Sequence, residues 1–165
     1  MTNAKFTKFP CLILAAGLLG AGCKGSRSTH SSQIPVLNGA DVLHTRSAIL
    51  PKGLKVGLIT NHTGHNLKRH LTLDLLLKSK NLELRAIFSP EHGLHGTLDR
   101  RIGDSTDTNS GLKIFSLYGA TRKPTAEQLA GLDALIFDIQ DIGCRFYTYI
   151  STMGLAMEAA SQAGI

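Results

Sequence analysis

Apolar and polar positions fall into blocks along this chain, and the spacing of the apolar residues changes from block to block. LKVGLITN, Leu54 to Asn61, is apolar and β-branched and ends on a polar loop, which predicts a strand. RHLTLDLLLKSK, Arg69 to Lys80, has leucines at 71, 73, 75, 76 and 77; Leu73, Leu76 and Leu77 share one helical face. LELRAIFS, Leu82 to Ser89, reads as the next strand, and LKIFSLYG, Leu112 to Gly119, as a short extended run. In KPTAEQLAGL, Thr125 and Gln128 have capping-box spacing, so a helix is expected to start there. DALIFDIQD, Asp133 to Asp141, reads as the best-buried strand. FYTYISTMGLAMEAASQAG, Phe146 to Gly164, reads as a helix that closes at Gly164, with Phe146, Tyr149, Met153, Leu155 and Met157 as expected core contacts.

Strands alternating with helices predict an α/β fold with a parallel sheet. Right-handed crossovers place the loops that follow the strands on one edge, where open α/β sheets bind ligands. HGTLDRRIGDSTDTNSG, His95 to Gly111, is a long polar insertion, readable as a lid or as a simple connection. The closing SQAGI reads as the approach to a further strand, so the chain is expected to be part of something longer.

The N-terminal block has a different character. Lys5 and Lys8 precede an apolar run from Phe9 to Gly22, shorter than the ~20 residues a membrane span requires. GAGC, ending at Cys23, resembles the lipobox of bacterial lipoproteins, in which the cysteine carries the lipid; an ordinary cleaved signal is the alternative. Residues 1–22 are therefore expected to be a signal peptide, 23–33 a polar tether (KGSRSTHSSQ follows Cys23), and 34–165 the folded domain. The expected location is periplasmic or at the cell surface, on the membrane through a lipid anchor. Cys11 lies in the leader and a lipidated Cys23 would leave Cys144 alone, so no disulfide framework is expected.

Charge and composition narrow the function classes. The net charge is +6, of which Lys5 and Lys8 account for two, leaving +4 scattered over residues 23–165. With no block of like charges, no Trp and few aromatics, nothing favours nucleic acid. A mildly basic groove for an anionic sugar or cell-wall polymer is compatible with these numbers.

The chemistry sits at three strand ends: TNHTGHN (Thr60 to Asn66), SPEHGLHG (Ser89 to Gly96) and DIQDIGCRFYTY (Asp138 to Tyr149). GxSxG, Walker and GxGxxG motifs are absent from the sequence. Cys144 reads as a small packing residue sooner than a nucleophile. Two readings stay open. His62, His65, His92 and His95, with Asp138 or Asp141, could hold zinc. Alternatively, Glu91 presented by Pro90 and Gly93 suits carboxylate chemistry on a sugar, with Asn, Gln, Asp and Arg side chains binding hydroxyls and a carboxylate substituent.

GLITNHTG, AIFSPEHGLHG, SLYGATRKPT and LDALIFDIQDIGCRFYTYISTMGLAMEAA together resemble the NamZ-type exo-β-N-acetylmuramidases, over about Val36 to Ile165. The resemblance implies a Rossmann-like N-terminal domain, a second domain after it, and an active site in the cleft between them. It implies release of terminal N-acetylmuramic acid from peptidoglycan fragments, with muramyl saccharides as partners and no metal or other cofactor. It carries catalysis onto Glu91, with Asp138 as the second candidate, and substrate binding onto Asn61, His62, His92, Gln140, Asp141, Arg145 and Tyr147; Tyr149 belongs to the same motif. A raised pKa would suit Glu91 as general acid. The second catalytic group could instead be Asp141, the substrate's own acetamido group, or a residue outside this chain. Two departures stand out: His95 where the family pattern has Arg, and Cys144 where a small residue is usual. Each residue also has a plainer role: Glu91 as a helix cap, Asp138 bonded to loop groups, Arg145 paired with Asp141. The rival functions are a non-catalytic, lipid-anchored cell-wall binder and a zinc-dependent hydrolase.

Overall fold

The structure, a computed structural model, describes residues 36–45, 50–97 and 103–165; the leader, Cys23 and the tether lie outside the described residues. The elements are α1 (Gly39–Thr45), β1 (Leu54–Thr60), α2 (Thr72–Leu77), β2 (Leu82–Ser89), β3 (Ser105–Thr106), β4 (Lys113–Ser116), α3 (Ala126–Leu129), β5 (Ala134–Asp138) and α4 (Tyr149–Ala163). The strands form one sheet in the order β3-β4-β2-β1-β5. β1 pairs in parallel with β2 and with β5, β2 pairs in parallel with β4, and only β3 runs antiparallel. This is the expected α/β architecture.

Side chains alternate between two apolar layers, as the pleat of a strand requires. Val56 and Leu58 of β1 pack with Leu76 of α2 and with Leu82 and Leu84. Ile59 faces the other side, with Phe88, Leu129 of α3, and Ala156 and Ala159 of α4. In β2 the layers change sides: Leu82 and Leu84 face α2, yet Ala86 and Phe88 face α3 and α4. A strict two-residue period would keep all four on one face. The register shift between Val56 and Gly57, where Val56 pairs with Leu84 and Gly57 with Ala86, skips Arg85 and turns the rest of the strand over. Gly57 makes room for this layer; a Cβ there would sit 2.8 Å from both Leu135 and Phe88 side chains.

Two expectations are corrected. Among the described residues β5 lies at the edge of the sheet and is half-buried along its whole length, so it is not the best-buried strand here. α4 buries Tyr149, Thr152, Ala156 and Ala159, while Phe146 and Met157 are 78% and 65% exposed and Met153 lies at the surface, so most of the expected aromatic and methionine core contacts are not made. The small residues let α4 lie close on the sheet. The polar insertion, His95 to Gly111, supplies β3 and a turn in which buried Asp107 accepts from the Ser110 N–H at 2.8 Å.

Two helix ends match their sequence signals. Thr125 and Gln128 form both bonds of the capping box. Gly164 closes α4 in the left-handed conformation, φ 75°. α1 had no apolar periodicity to announce it. It is tied by polar bonds instead: Asn38 caps it through Asp41 N–H at 2.9 Å, and Asp41 Oδ2 accepts from Leu67 N–H at 3.1 Å.

Candidate active site

All four parallel strands end on the same edge, and β2 and β5 lie on opposite sides of β1. The chain reverses its direction of travel across the sheet there, and such a switch point opens a crevice at the strand ends. Hydrogen bonds and close packing join the loops. Gln140 N–H donates to Thr63 Oγ1 at 3.0 Å, joining the loops after β5 and β1. Leu117 N–H donates to Ser89 O at 2.8 Å, joining the ends of β4 and β2. Gly96 packs on the His62 ring so closely that a Cβ would fall 2.2 Å from it.

The loop after β2 is built to present Glu91. Pro90 is fully buried and anchors it. His92 and Gly93 both take left-handed φ, 68° and 74°, and Gly93 N–H closes the turn on Pro90 O at 3.0 Å. A left-handed non-glycine residue costs on the order of 1 kcal/mol and persists only where surrounding contacts enforce it. No helix starts at Glu91, so the capping role is not formed: residues 91–96 are consecutive turns.

Glu91 is half-buried and lines a cleft of about 320 Å³ with His92, Phe146, Tyr147, Thr148 and Tyr149. Thr148 Oγ1 donates to Glu91 Oε2 at 2.7 Å. Thr148 stands at the N-cap of α4 yet makes no side-chain cap bond to that helix; its hydroxyl goes to Glu91 instead. Burial pushes the Glu91 carboxyl up, but hydrogen bonds from Tyr118 and Thr148 and the positive fields of His92 and Arg122 outweigh it, so its pKa lies below the ordinary value. The expected raised pKa is therefore corrected: in this domain Glu91 is held as a carboxylate.

Beneath the cleft lies Asn61, only 2% exposed. Its Oδ1 accepts from Thr63 N–H at 2.9 Å and Thr63 Oγ1–H at 2.7 Å, which fixes the amide. Its Nδ2 is buried and closes no hydrogen bond among the described residues, with the Tyr149 phenol as its polar neighbour. Burial, then Tyr147, raises the Tyr149 pKa against the pull of Asn61, and Glu91 and Asp141 raise it further. Tyr149 is thus a neutral hydroxyl facing a carboxylate. Tyr147 stacks edge-on between Phe146 at 5.8 Å and Tyr149 at 5.5 Å.

The remaining candidates divide. The Asp138 carboxylate accepts the Thr72 hydroxyl at the start of α2, and its carbonyl accepts Thr60 Oγ1–H at 2.8 Å, so Asp138 fastens strand to helix. Asp141 is exposed and accepts Gly143 N–H at 2.7 Å in a tight turn. It makes no ion pair with Arg145, so that structural pairing is not formed. Gln140 and Arg145 are exposed on the same loop, and His62 is exposed against Gly96. His65 has both ring nitrogens engaged, Nδ1 with Asn66 O at 3.0 Å and Nε2 with Arg69 Nη1 at 2.7 Å. Among the described residues no three His, Cys, Asp or Glu side chains converge as metal ligands. A groove of about 340 Å³ between α2 and the start of β2 has no acid or histidine in its walls.

The family described as Exo-beta-N-acetylmuramidase NamZ, N-terminal, matches residues 56–165. This chain belongs to that family. It is 42% identical over 142 residues to the Peptidoglycan beta-N-acetylmuramidase NamZ of Bacillus subtilis (strain 168), covering 85% of this chain and 34% of the relative. It also resembles the crystal structure of a DUF1343 family protein from Bacteroides fragilis, with 46% identity and a TM-score of 0.70, covering 78% of this chain and 32% of that one. The chain thus spans about a third of the length of each.

Within the NamZ family frame, sequence reasoning missed Tyr118, Arg122 and Thr148 as neighbours of Glu91. The first two lie in SLYGATRKPT, a motif read only for its likeness; Thr148 was passed over between two tyrosines. Only the loop contacts bring them to the carboxylate.

Proposed function

We propose that this domain is the Rossmann-like N-terminal part of an exo-acting glycoside hydrolase that releases terminal N-acetylmuramic acid from peptidoglycan fragments, with Glu91 as its catalytic carboxylate. The observation that carries the reading is Glu91 itself. It is presented on a strained, proline-anchored loop and held by the hydroxyl of a helix-capping residue that forgoes its own helix. Family membership and the named activity of the Bacillus subtilis relative support it. In the open domain Glu91 is ionised. Sugar and a second wall would exclude water and strengthen the desolvation that already pushes this carboxyl up, which brings it towards the protonated state a general acid needs. Asp138, committed to Thr72, supports the loop, and the second group comes from the substrate's acetamido function or from a part of the enzyme beyond this third.

The test is a chimera in which residues 56–165 replace the matching segment of the Bacillus subtilis relative. It is expected to release free N-acetylmuramic acid from fragments with that sugar at the terminus. Binding of fragments without release sinks the hydrolase reading in favour of a cell-wall binder.

We also propose export and lipid anchoring at Cys23, supported by the leader pattern in residues 1–23. Cys23→Ser is expected to move the protein from membrane to soluble fractions; unchanged membrane association overturns the anchor.

A further inference from the structure

We propose that Arg122 is the specificity-determining cation beside this cleft and takes the lactyl-ether carboxylate of a muramic acid residue whose anomeric carbon faces Glu91. The inference rests on the reading above and names the group that sets its sugar preference. Muramic acid differs from glucosamine by one substituent, an ether at O3 bearing a carboxylate. A site that prefers the acid needs a cation one sugar-breadth from the reacting carbon. It also needs that cation to offset the repulsion between the substrate's carboxylate and Glu91.

Arg122 is the guanidinium whose charge acts on Glu91. The Leu117 N–H to Ser89 O bond, 2.8 Å, brings the end of β4 against the loop that carries Glu91. Tyr118 follows at once and bonds to the Glu91 carboxylate. The Arg122 guanidinium carbon lies 5.6 Å from the centroid of the Tyr118 ring, so carboxylate and cation flank a single phenol. The ring keeps the guanidinium near it, and an arginine fork can meet a carboxylate in two bonds. Arg122 is exposed and has no carboxylate within ion-pair distance among the described residues. The neighbouring cation is already engaged: Lys123 Nζ lies 3.1 Å from Glu158 of α4. Arg145, the cation singled out by sequence, is exposed too, and neither guanidinium is a wall of the Glu91 cleft, but only Arg122 is among the charges that act on Glu91.

The experiment is a pair of NMR titrations of the 165-residue chain, with N-acetylmuramic acid and with N-acetylglucosamine, following the amides of residues 89–93 and 118–122. The wild type is expected to bind the acid about fivefold more tightly than the neutral sugar, the scale of an exposed ion pair. Arg122→Gln is expected to abolish the preference while leaving the neutral sugar unaffected, and Arg122→Lys to retain part of it. Unchanged amide spectra elsewhere confirm that the variants are folded. Equal binding of the two sugars by the wild type, or a preference that survives in Arg122→Gln, overturns the proposal. So does a preference lost in Arg145→Gln instead, which moves the anion site to that residue. If neither sugar shifts these amides, Arg122 has no such role, and the hydrolase reading is then judged by chimera turnover alone.

Discussion

The hydroxyl of Thr148 lies 2.7 Å from the carboxylate of Glu91, across 57 residues of sequence. This bond fastens the loop after β5 to the loop after β2 and is one of the contacts that lower the pKa of the cleft's carboxylate.

Removing that donor changes how stability depends on pH. The Glu91 pKa is depressed below its ordinary value of 4.5, so its contribution is fully present above 4.5 and is lost as pH falls through the lower folded value. Thr148→Val is expected to raise the Glu91 pKa, read by carboxyl-carbon NMR titration, and to cost about 1 kcal/mol of unfolding free energy at neutral pH. In urea unfolding at pH below the folded Glu91 value the gap to wild type is expected to narrow, since a protonated Glu91 has no charge-assisted bond to lose. An equal gap at both pH values would show that Thr148 acts only through packing.

Glu91→Gln keeps size and shape but cannot carry a proton to a leaving oxygen. In the active chimera we expect kcat to fall at least ~100-fold on saccharides with poor leaving groups, and less on activated aryl glycosides. An equal loss on both places Glu91 on the anomeric side of the sugar, and no loss on either removes it from the chemistry.

Asp138 and Thr72 are expected to behave as one unit. Asp138→Ala and Thr72→Val each lose about 1–3 kcal/mol, because each leaves a polar partner unsatisfied at a mostly buried junction. The double variant is expected to lose less than the sum, with a coupling of about 1 kcal/mol in chemical denaturation. Additive losses would free the Asp138 carboxylate for a role in the cleft.

Two glycines are expected to respond in opposite directions. A Cβ on Gly64 would fall 2.2 Å from Thr60 Oγ1 and 2.5 Å from the Asp138 carbonyl, so Gly64→Ala forces apart the ends of β1 and β5 and costs about 1–3 kcal/mol. A Cβ on Gly154, inside α4, meets nothing within 4 Å, so Gly154→Ala stabilises by about 0.5–1 kcal/mol. Thermal unfolding reads both, and a neutral Gly64→Ala would show that the junction yields.

The amino-acid sequence alone determined what local rules govern. β2 spans Leu82–Ser89 as its apolar run predicts, Thr125 and Gln128 close their capping box, and Gly164 ends α4. Parallel topology follows from the alternation of elements, and with it the convergence of three polar loops on one edge. The tertiary structure decided whatever depends on contacts between distant residues. The bulge at Arg85 reverses the faces of β2, which no two-residue period can reveal. β5 is as apolar as a central strand but lies at the edge, because strand order is set by crossovers and not by the strand's own composition. The protonation of Glu91 is a balance between burial, which raises its pKa, and Tyr118, Thr148, His92 and Arg122, which lower it. Tyr118, Thr148 and Arg122 are remote in sequence, so the sign of the balance exists only once the loops have met.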